Sequence, residues 1–193
     1  MKEMIKMMVV LSVICGLSGL TLAALKNATE ARIEEQVLTY VQAPSLTQVL
    51  HDYDNNPIKD RKKFARPGAE DEITLFPAMK DGKLTGLAFE IFGKGYGGNI
   101  GVMVGFDTAS GNLSGIGITT MKETPGIGAR IAKHGFTSQF KGLSPGRARL
   151  KAHNGDIDAI AGATISSTGT VTAVQEAAKL FDALKPEIAK TWP

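Results

Sequence analysis

The chain has 193 residues, 43% hydrophobic and 21% charged, a composition typical of globular proteins rather than disordered ones. Its 22 basic and 19 acidic residues leave a formal charge of only +3, too weak a field to call for a nucleic-acid partner. A single cysteine, Cys15, excludes an internal disulfide, a cysteine zinc site and an all-cysteine iron–sulfur cluster, and the dispersed His51, His134 and His153 form no close metal-ligand pair, so no metal is expected.

The first predicted element is a membrane span. Met7 to Leu25 is an uncharged run of 19 residues, which as a helix covers about 28 Å, the thickness of a bilayer core. Lys2 and Lys6 precede it, and Lys26 and Arg32 follow more sparsely among Glu30, Glu34 and Glu35, so the charge bias favours a cytoplasmic N-terminus with the remainder outside. A cleaved signal peptide is the alternative, with Ala23, Ala24 and Ala28 as the small residues near the end of the run. The polar stretch "NATEARIEEQVLTYVQ" favours helix and continues the same helix out of the bilayer.

Pro44 to Asp71, with three prolines and an Asn-Asn-Pro breaker, reads as a connector. Its basic run "KDRKKFAR" reads as a solvated loop because Glu70, Asp71 and Glu72 follow at once, contact with acidic lipid or a partner subunit being the other option. Next come "ITLFPAMK", an Asp81-Gly82 hairpin turn and "LTGLAFEIFG", which form a meander. In "NIGVMVGFD" bulky Ile100, Val102, Val104 and Phe106 alternate with Gly101, Met103 and Gly105, so one strand face is nearly bare and open to a helix or a flat ring. "LSGIGITTM" is a further strand, "ARIAKHGFTSQF" has helical potential, and "RARLKA" is a possible strand. A closing helix carries Val171, Val174, Ala178 and Phe181 on one stripe, widened by Ala177, Leu180, Leu184 and Ile188, and Pro186 marks its expected end.

The predicted fold is α+β: an N-terminal transmembrane helix, then a single domain of antiparallel strands with a C-terminal helix. The expected division is a cytoplasmic N-terminus (1–6), the span (7–25), a juxtamembrane helix and connector (26–71), and the folded domain (72–193).

Two motif matches fail on physical grounds. "GKGYGG", Gly93 to Gly98, fits G-x-G-x-x-G, but a strand rather than a helix N-terminus follows, so its glycines belong to a tight turn or close packing. "GLSPG", Gly142 to Gly146, fits the esterase elbow, but Pro145 follows the serine and has no N–H for an oxyanion.

The stretch "DAIAGATISSTGTV" carries more chemistry. Gly162 admits backbone shapes closed to other residues, Ala163 adds little bulk, and Thr164 presents a hydroxyl beside open space. Ser166, Ser167, Thr168 and Thr170 crowd a helix expected to begin near Thr168, whose N-terminus suits a phosphate. The plain alternative is helix capping by Thr168, Thr170 or Thr172, the last with Gln175 at capping-box spacing.

"DAIAGATISS" is similar to the flavin-attachment motif of FMN-binding domains, in which an acidic residue precedes Ser/Thr-Gly-Ala-Thr and the threonine bears FMN through a phosphodiester. "MKETPGIGARI" and "GYGGNIGVMVGFD" resemble segments of the G subunit of the Rnf electron-transport complex, and the N-terminal span fits as well. The resemblance implies FMN on Thr164, with Asp158, Gly162, Ala163, Ser166, Ser167, Thr168, Glu123, Thr124 and Gly126 around it, and Tyr96 either stacked on the flavin or merely packed. It also implies a separate flavin transferase, partner membrane subunits, electron transfer between ferredoxin and NAD coupled to sodium or proton transport, and a bacterial or archaeal cell membrane with the flavin outside. No residue is expected to act as a catalyst itself. Ala161 departs from the motif, which has serine or threonine there. Two other readings remain: a flavin-free assembly module, and the C subunit of the sodium-pumping NADH:quinone reductase.

Overall fold

The computed structural model describes residues 1–69 and 71–192. Glu70, counted in the acidic run after the basic cluster, and Pro193, the expected last residue of the domain, lie outside the described residues. The chain forms two units, Met1–Tyr40 and Val41–Pro193.

The first unit is mainly helix α1, Lys2–Val37, and the π-helical turn after it, Leu38–Gln42, runs across the division between the units. An 18-residue stretch within Lys2–Glu30 reaches a mean hydropathy of 2.3, and the helix is long and apolar enough to cross a membrane. The polar continuation of the span is helical as expected.

The second unit is built on one antiparallel sheet in the order β1-β2-β3-β4-β5, a meander in which every strand pairs with its neighbour in the chain. The strands are β1 Lys62–Ala65, β2 Glu72–Lys80, β3 Lys83–Lys94, β4 Asn99–Asp107 and β5 Leu113–Thr120. The tight connection between β2 and β3 uses Asp81 at φ 50° and Gly82 at φ 74°, the two left-handed positions that a two-residue hairpin turn demands.

Helix α4, Thr164–Thr191, covers the bulky sheet face: Ile100, Val102, Val104 and Phe106 are all fully buried, and Phe106 stacks on Phe181 at 4.4 Å between ring centroids. The near-bare face receives a helix, not a ring. Helix α2, Ala43–Val49, lies there, and a methyl group built on Gly105 would stand 2.8 Å from the Val49 carbonyl oxygen, one on Gly117 3.2 Å from Ser45. Glycines at these positions let the helix backbone approach the sheet.

Several expectations are corrected. The stretch read as a connector carries both α2 and β1, which belong to the compact second unit. Lys62–Ala65 of the basic run read as a loop is an edge strand, anchored by Phe64 packing on Trp192 at 5.6 Å, and its exposed Lys62 and Lys63 are residues that edge strands favour. "RARLKA" forms 3-10 turns and a single bridge, Leu150 to Ile157, in place of a strand. Pro186 does not end α4, because Ile188 and Trp192 beyond it are buried in the core and their packing offsets the lost backbone hydrogen bond. Helix α4 starts at Thr164 instead of near Thr168, so Thr168, Thr170 and Thr172 lie inside it and cap nothing. In "ARIAKHGFTSQF" the helical potential appears as 3-10 turns around a short helix α3, His134–Thr137.

Candidate functional site

Three segments meet at one end of the sheet. The first is the β3–β4 turn, closed by Gly95 N–H donating to the Gly98 carbonyl at 2.8 Å. The second is the Thr124-Pro125-Gly126-Ile127 turn, in which Ile127 N–H donates to the Thr124 carbonyl at 3.2 Å and Gly126 takes φ 75°. Proline then glycine at the two central positions is the chemistry of a type II turn. The third is the bend Ala161–Ala163, with Gly162 at φ 78°, leading into α4.

Glu123 ties all three together. It is only 7% exposed. Its Oε1 accepts from the Gly97 N–H at 3.0 Å and its Oε2 accepts from the Ser166 hydroxyl. Gly128 closes over this pair, since a methyl group there would lie 2.8 Å from both Glu123 Oε2 and Ser166 Oγ. A second crossing fixes the same region: a methyl group on Gly93 would collide with the Gly169 carbonyl of α4, and one on Gly169 with the Lys94 carbonyl. The start of α4 is thus set against β3 by backbone contact that only glycine permits.

Between these segments lies a cleft of ≈ 480 Å³ lined by Tyr96, Glu123, Thr124, Ile127, Gly128, Gly162, Ala163 and the first helical residues, Thr164 through Ser166. Small-molecule sites are typically about 300–1,000 Å³. Thr164, the first residue of α4, is exposed and lines this cleft. The first turn has no side-chain cap, and its first backbone bond runs from Ser167 N–H to the Ala163 carbonyl at 3.0 Å. The N–H groups of Thr164, Ile165 and Ser166 precede that bond, and with the positive end of a 28-residue helix they favour an anion.

The hydroxyl cluster divides sharply. Ser166 Oγ is engaged by Glu123, and Ser167 Oγ accepts from Ile160 N–H and donates to the Ala163 carbonyl, both at 3.0 Å. Thr170 bonds back to the Ser166 carbonyl. These three are buried braces, while Thr164 and Thr168 are exposed one turn apart on the same helix face.

Of the expected site residues, Thr164, Gly162, Ala163, Ser166, Glu123 and Thr124 line the cleft. Gly126 shapes the adjoining turn and Ser167 braces the bend from beneath. Thr168 lies beside the cleft and not in its lining. Asp158 is not brought in: it is exposed, its carboxyl accepts from Lys151 Nζ at 2.7 Å, and its backbone exchanges hydrogen bonds with Gln139. It lines a neighbouring concavity with Arg130, Lys133 and Ala161. The loop leading to it is held by Arg147, whose guanidinium hydrogen bonds keep the Asp156 carboxyl below the ordinary carboxylate range. Tyr96 is exposed at the cleft and so is not a packing residue. Ile127, Gly128 and Ile165 were not expected in the lining; an isoleucine standing alone in a hydroxyl-rich stretch was the available signal for Ile165.

A helix N-terminus beside a cleft of small-molecule size, on a sheet with one long covering helix, is the arrangement of a small-molecule-binding domain and suits a phosphorylated group. Residues 95–179, which contain every cleft-lining residue, match the FMN-binding domain family. The chain is 31% identical to the G subunit of the ion-translocating oxidoreductase complex of Cereibacter sphaeroides over 91% of its own length and 83% of that protein. It is 29% identical to the G subunit of the proton-translocating ferredoxin:NAD(+) oxidoreductase complex of Clostridium ljungdahlii, over 86% of its length and 85% of that protein. The protein belongs to the family of G subunits of ion-translocating oxidoreductase complexes. Its fold is that of Shewanella oneidensis NqrC, with a TM-score of 0.52 over 75% of this chain and 73% of that one at 20% identity.

Proposed function

We propose that this protein is the membrane-anchored electron carrier of an Rnf-type complex, with FMN attached by a phosphodiester to Thr164. The observation that carries this reading is the placement of the Thr164 hydroxyl: exposed, first in α4, on the cleft, and ahead of three backbone N–H groups outside the helix ladder. A phosphodiester keeps one negative charge, which the helix end stabilises by about 0.3–1 kcal/mol when solvent-exposed. When bound, FMN supplies one- and two-electron chemistry that no side chain here provides. The chain's own residues position and shield: Glu123 and Ser166 hold the cleft walls together, Thr124 offers a hydroxyl at the rim, and Tyr96, Ile127 and Ile165 present apolar surface to a ring.

In this reading residues 7–25 anchor the protein and 72–193, with α2 and β1 packed on, form the flavin domain. Lys2 and Lys6 before the span favour a cytoplasmic N-terminus, which puts that domain on the extracytoplasmic side. A flavin transferase installs the cofactor, and the complex passes electrons between ferredoxin and NAD, the couple that the Clostridium ljungdahlii relative's name states.

Intact-mass measurement of the full chain, co-expressed with a flavin transferase, tests the attachment. An FMN adduct that disappears in Thr164→Ala is expected. Equal masses for the two proteins, allowing for the substitution itself, would leave a flavin-free assembly module as the better account.

A further inference from the structure

Segments 43–51, 113–120 and 128–141 contain no acidic residue, although the chain has 19, and they meet in a second cleft of ≈ 380 Å³. Its lining includes Gln48 and His51 from the end of α2, Ser114 to Ile116 of the edge strand β5, and His134, Ser138 and Lys141 from the segment after β5. The cleft of Thr164 shares none of these residues, so the two sites are separate. Elsewhere in this unit Lys80, Arg147, Lys151 and Lys185 each meet a carboxylate. Among the described residues, His51, His134 and Lys141 meet none, and all three are exposed.

The neighbouring acids do not line this cleft. Asp52, next to His51 in the chain, pairs with Lys80 and lines an adjoining groove, and Asp158, whose backbone bonds to Gln139, pairs with Lys151 on another concavity. A cleft lined by one sign of charge concentrates counter-ions. Each imidazole offers an N–H donor in either charge state, Lys141 offers an ammonium, and Gln48 and Ser138 add an amide and a hydroxyl. This donor set suits an oxyanion. A planar carboxylate is matched by an arginine fork, and no arginine lines the cleft, whereas a tetrahedral phosphoryl group presents its oxygens to donors arriving from separate directions.

We propose that this cleft binds the phosphoryl group of a phosphate ester whose alcohol part carries an ammonium or hydroxyl donor. His51, His134 and Lys141 hold the phosphoryl oxygens. The cleft runs into a groove of ≈ 510 Å³ that shares His51, Ser114 and Lys141 and adds Asp107 and the paired Asp52, which gives the alcohol part its place. Asp107 there repels a second phosphate and favours a donor, so a single phosphoryl group beside an ammonium is the fitting pattern. Phosphoethanolamine has that pattern, both as a soluble ester and as a lipid head group. The site stands independently of the flavin reading, since no residue of the Thr164 cleft takes part.

Calorimetric titration of the full chain in maltoside micelles with phosphoethanolamine tests the site, with ethanolamine alone as the control. Saturable binding of the ester and none of ethanolamine is expected. His134→Gln and Lys141→Gln should each weaken binding about tenfold, while Lys133→Gln, an exposed neighbour outside the lining, should leave it nearly unchanged. Both substituted side chains are exposed, and an unchanged urea midpoint confirms that the fold is kept. Hydrogen exchange at residues 134–141 separates the sources. Slowing by the soluble ester in micelles identifies a free ester, and slowing only in phosphatidylethanolamine nanodiscs identifies a lipid head group; either supports the site, provided the double variant His134→Gln/Lys141→Gln abolishes it. The proposal is overturned if neither ester nor lipid slows exchange, or if binding is the same in His134→Gln, Lys141→Gln and Lys133→Gln as in the parent chain.

Discussion

The Glu123–Ser166 pair makes the most exacting test of how this site is held. Glu123 satisfies two donors at once, the Gly97 N–H and the Ser166 hydroxyl, and its side chain is buried under Gly128. Glu123→Ala strands both donors. Each buried donor left without a partner costs about 1–3 kcal/mol, so the loss is expected at about 3–5 kcal/mol, a large share of a domain's stability. Glu123→Gln keeps one acceptor oxygen but turns an amide nitrogen toward a donor, and is expected to cost about 1–2 kcal/mol. Ser166→Ala removes one donor and leaves Glu123 Oε2 unpartnered, at about 1–3 kcal/mol. The double variant Glu123→Ala/Ser166→Ala leaves only the Gly97 N–H stranded, two fewer groups than the two single changes together, so it should fall short of their sum by about 2–3 kcal/mol. Urea unfolding of the detergent-solubilised chain measures the cycle. Hydrogen exchange at residues 95–98 gives a local readout and should accelerate in every Glu123 variant. Additive energies, or unchanged exchange in that turn, would show that the pair does not couple the glycine turn to α4.

Two further outcomes follow from the same geometry. In Gly169→Ala the added methyl would lie 2.8 Å from the Lys94 carbonyl carbon, where ordinary contact begins at 3.4 Å; the obstacle is backbone, so overpacking of about 1–3 kcal/mol outweighs the gain of about 1 kcal/mol from better helix propensity. Gly135→Ala, with nothing within 4 Å, is the neutral control, and comparing the two unfolding curves checks the crossing. Asp107 accepts from the Ser110 N–H at 2.7 Å and from its hydroxyl at 2.8 Å, and these bonds, the backbone one foremost, hold its carboxyl below the ordinary 3.8. A depressed folded value means the contribution is complete above pH 3.8 and is lost as pH falls through the folded value, so Asp107→Asn should flatten the acid limb of a stability–pH curve.

What the sequence makes legible is what rests on local chemistry. The span shows in continuous apolarity, β4 in its strict alternation, the hairpin in Asp81-Gly82, and the core stripe of α4 in its helical period. What it hides depends on partners distant in the chain. Nothing in Lys62–Ala65 marks a strand until Phe64 meets Trp192, and α2 is too short for a periodic signal until Gly105 and Gly117 open the sheet to it. The hydroxyl cluster shows the same limit. By composition its members look interchangeable, and the capping spacing at Thr172 and Gln175 is real. Only the tertiary partners Glu123, Ile160 and Ala163 separate the buried braces from the exposed Thr164, and move the helix start back to it. Asp158 illustrates the converse, because a motif position six residues from Thr164 turns out to pair with Lys151 beyond the cleft.

That separation bears on why the covalent tether proposed above would suit this cleft. Polar groups of the lining that would grip a free ligand are already spent on structure: both oxygens of Glu123 and the hydroxyl of Ser166. The groups left facing the cleft are the Thr164 hydroxyl, Thr124, the first helical N–H groups and a few apolar side chains, which is a weak inventory for holding a flexible, solvated nucleotide. The proposed bond to Thr164 would remove that demand, since a tethered group meets its walls at an effective concentration set by the linker and needs little intrinsic affinity. The walls can then stay shallow and their apolar rim exposed. A deep enclosing pocket would hold a free cofactor more tightly, but it would also bury the surface through which a carrier must exchange electrons. Rigid braces beneath and an open rim above are therefore two parts of one solution, with the hydroxyl of Thr164 placed where they meet.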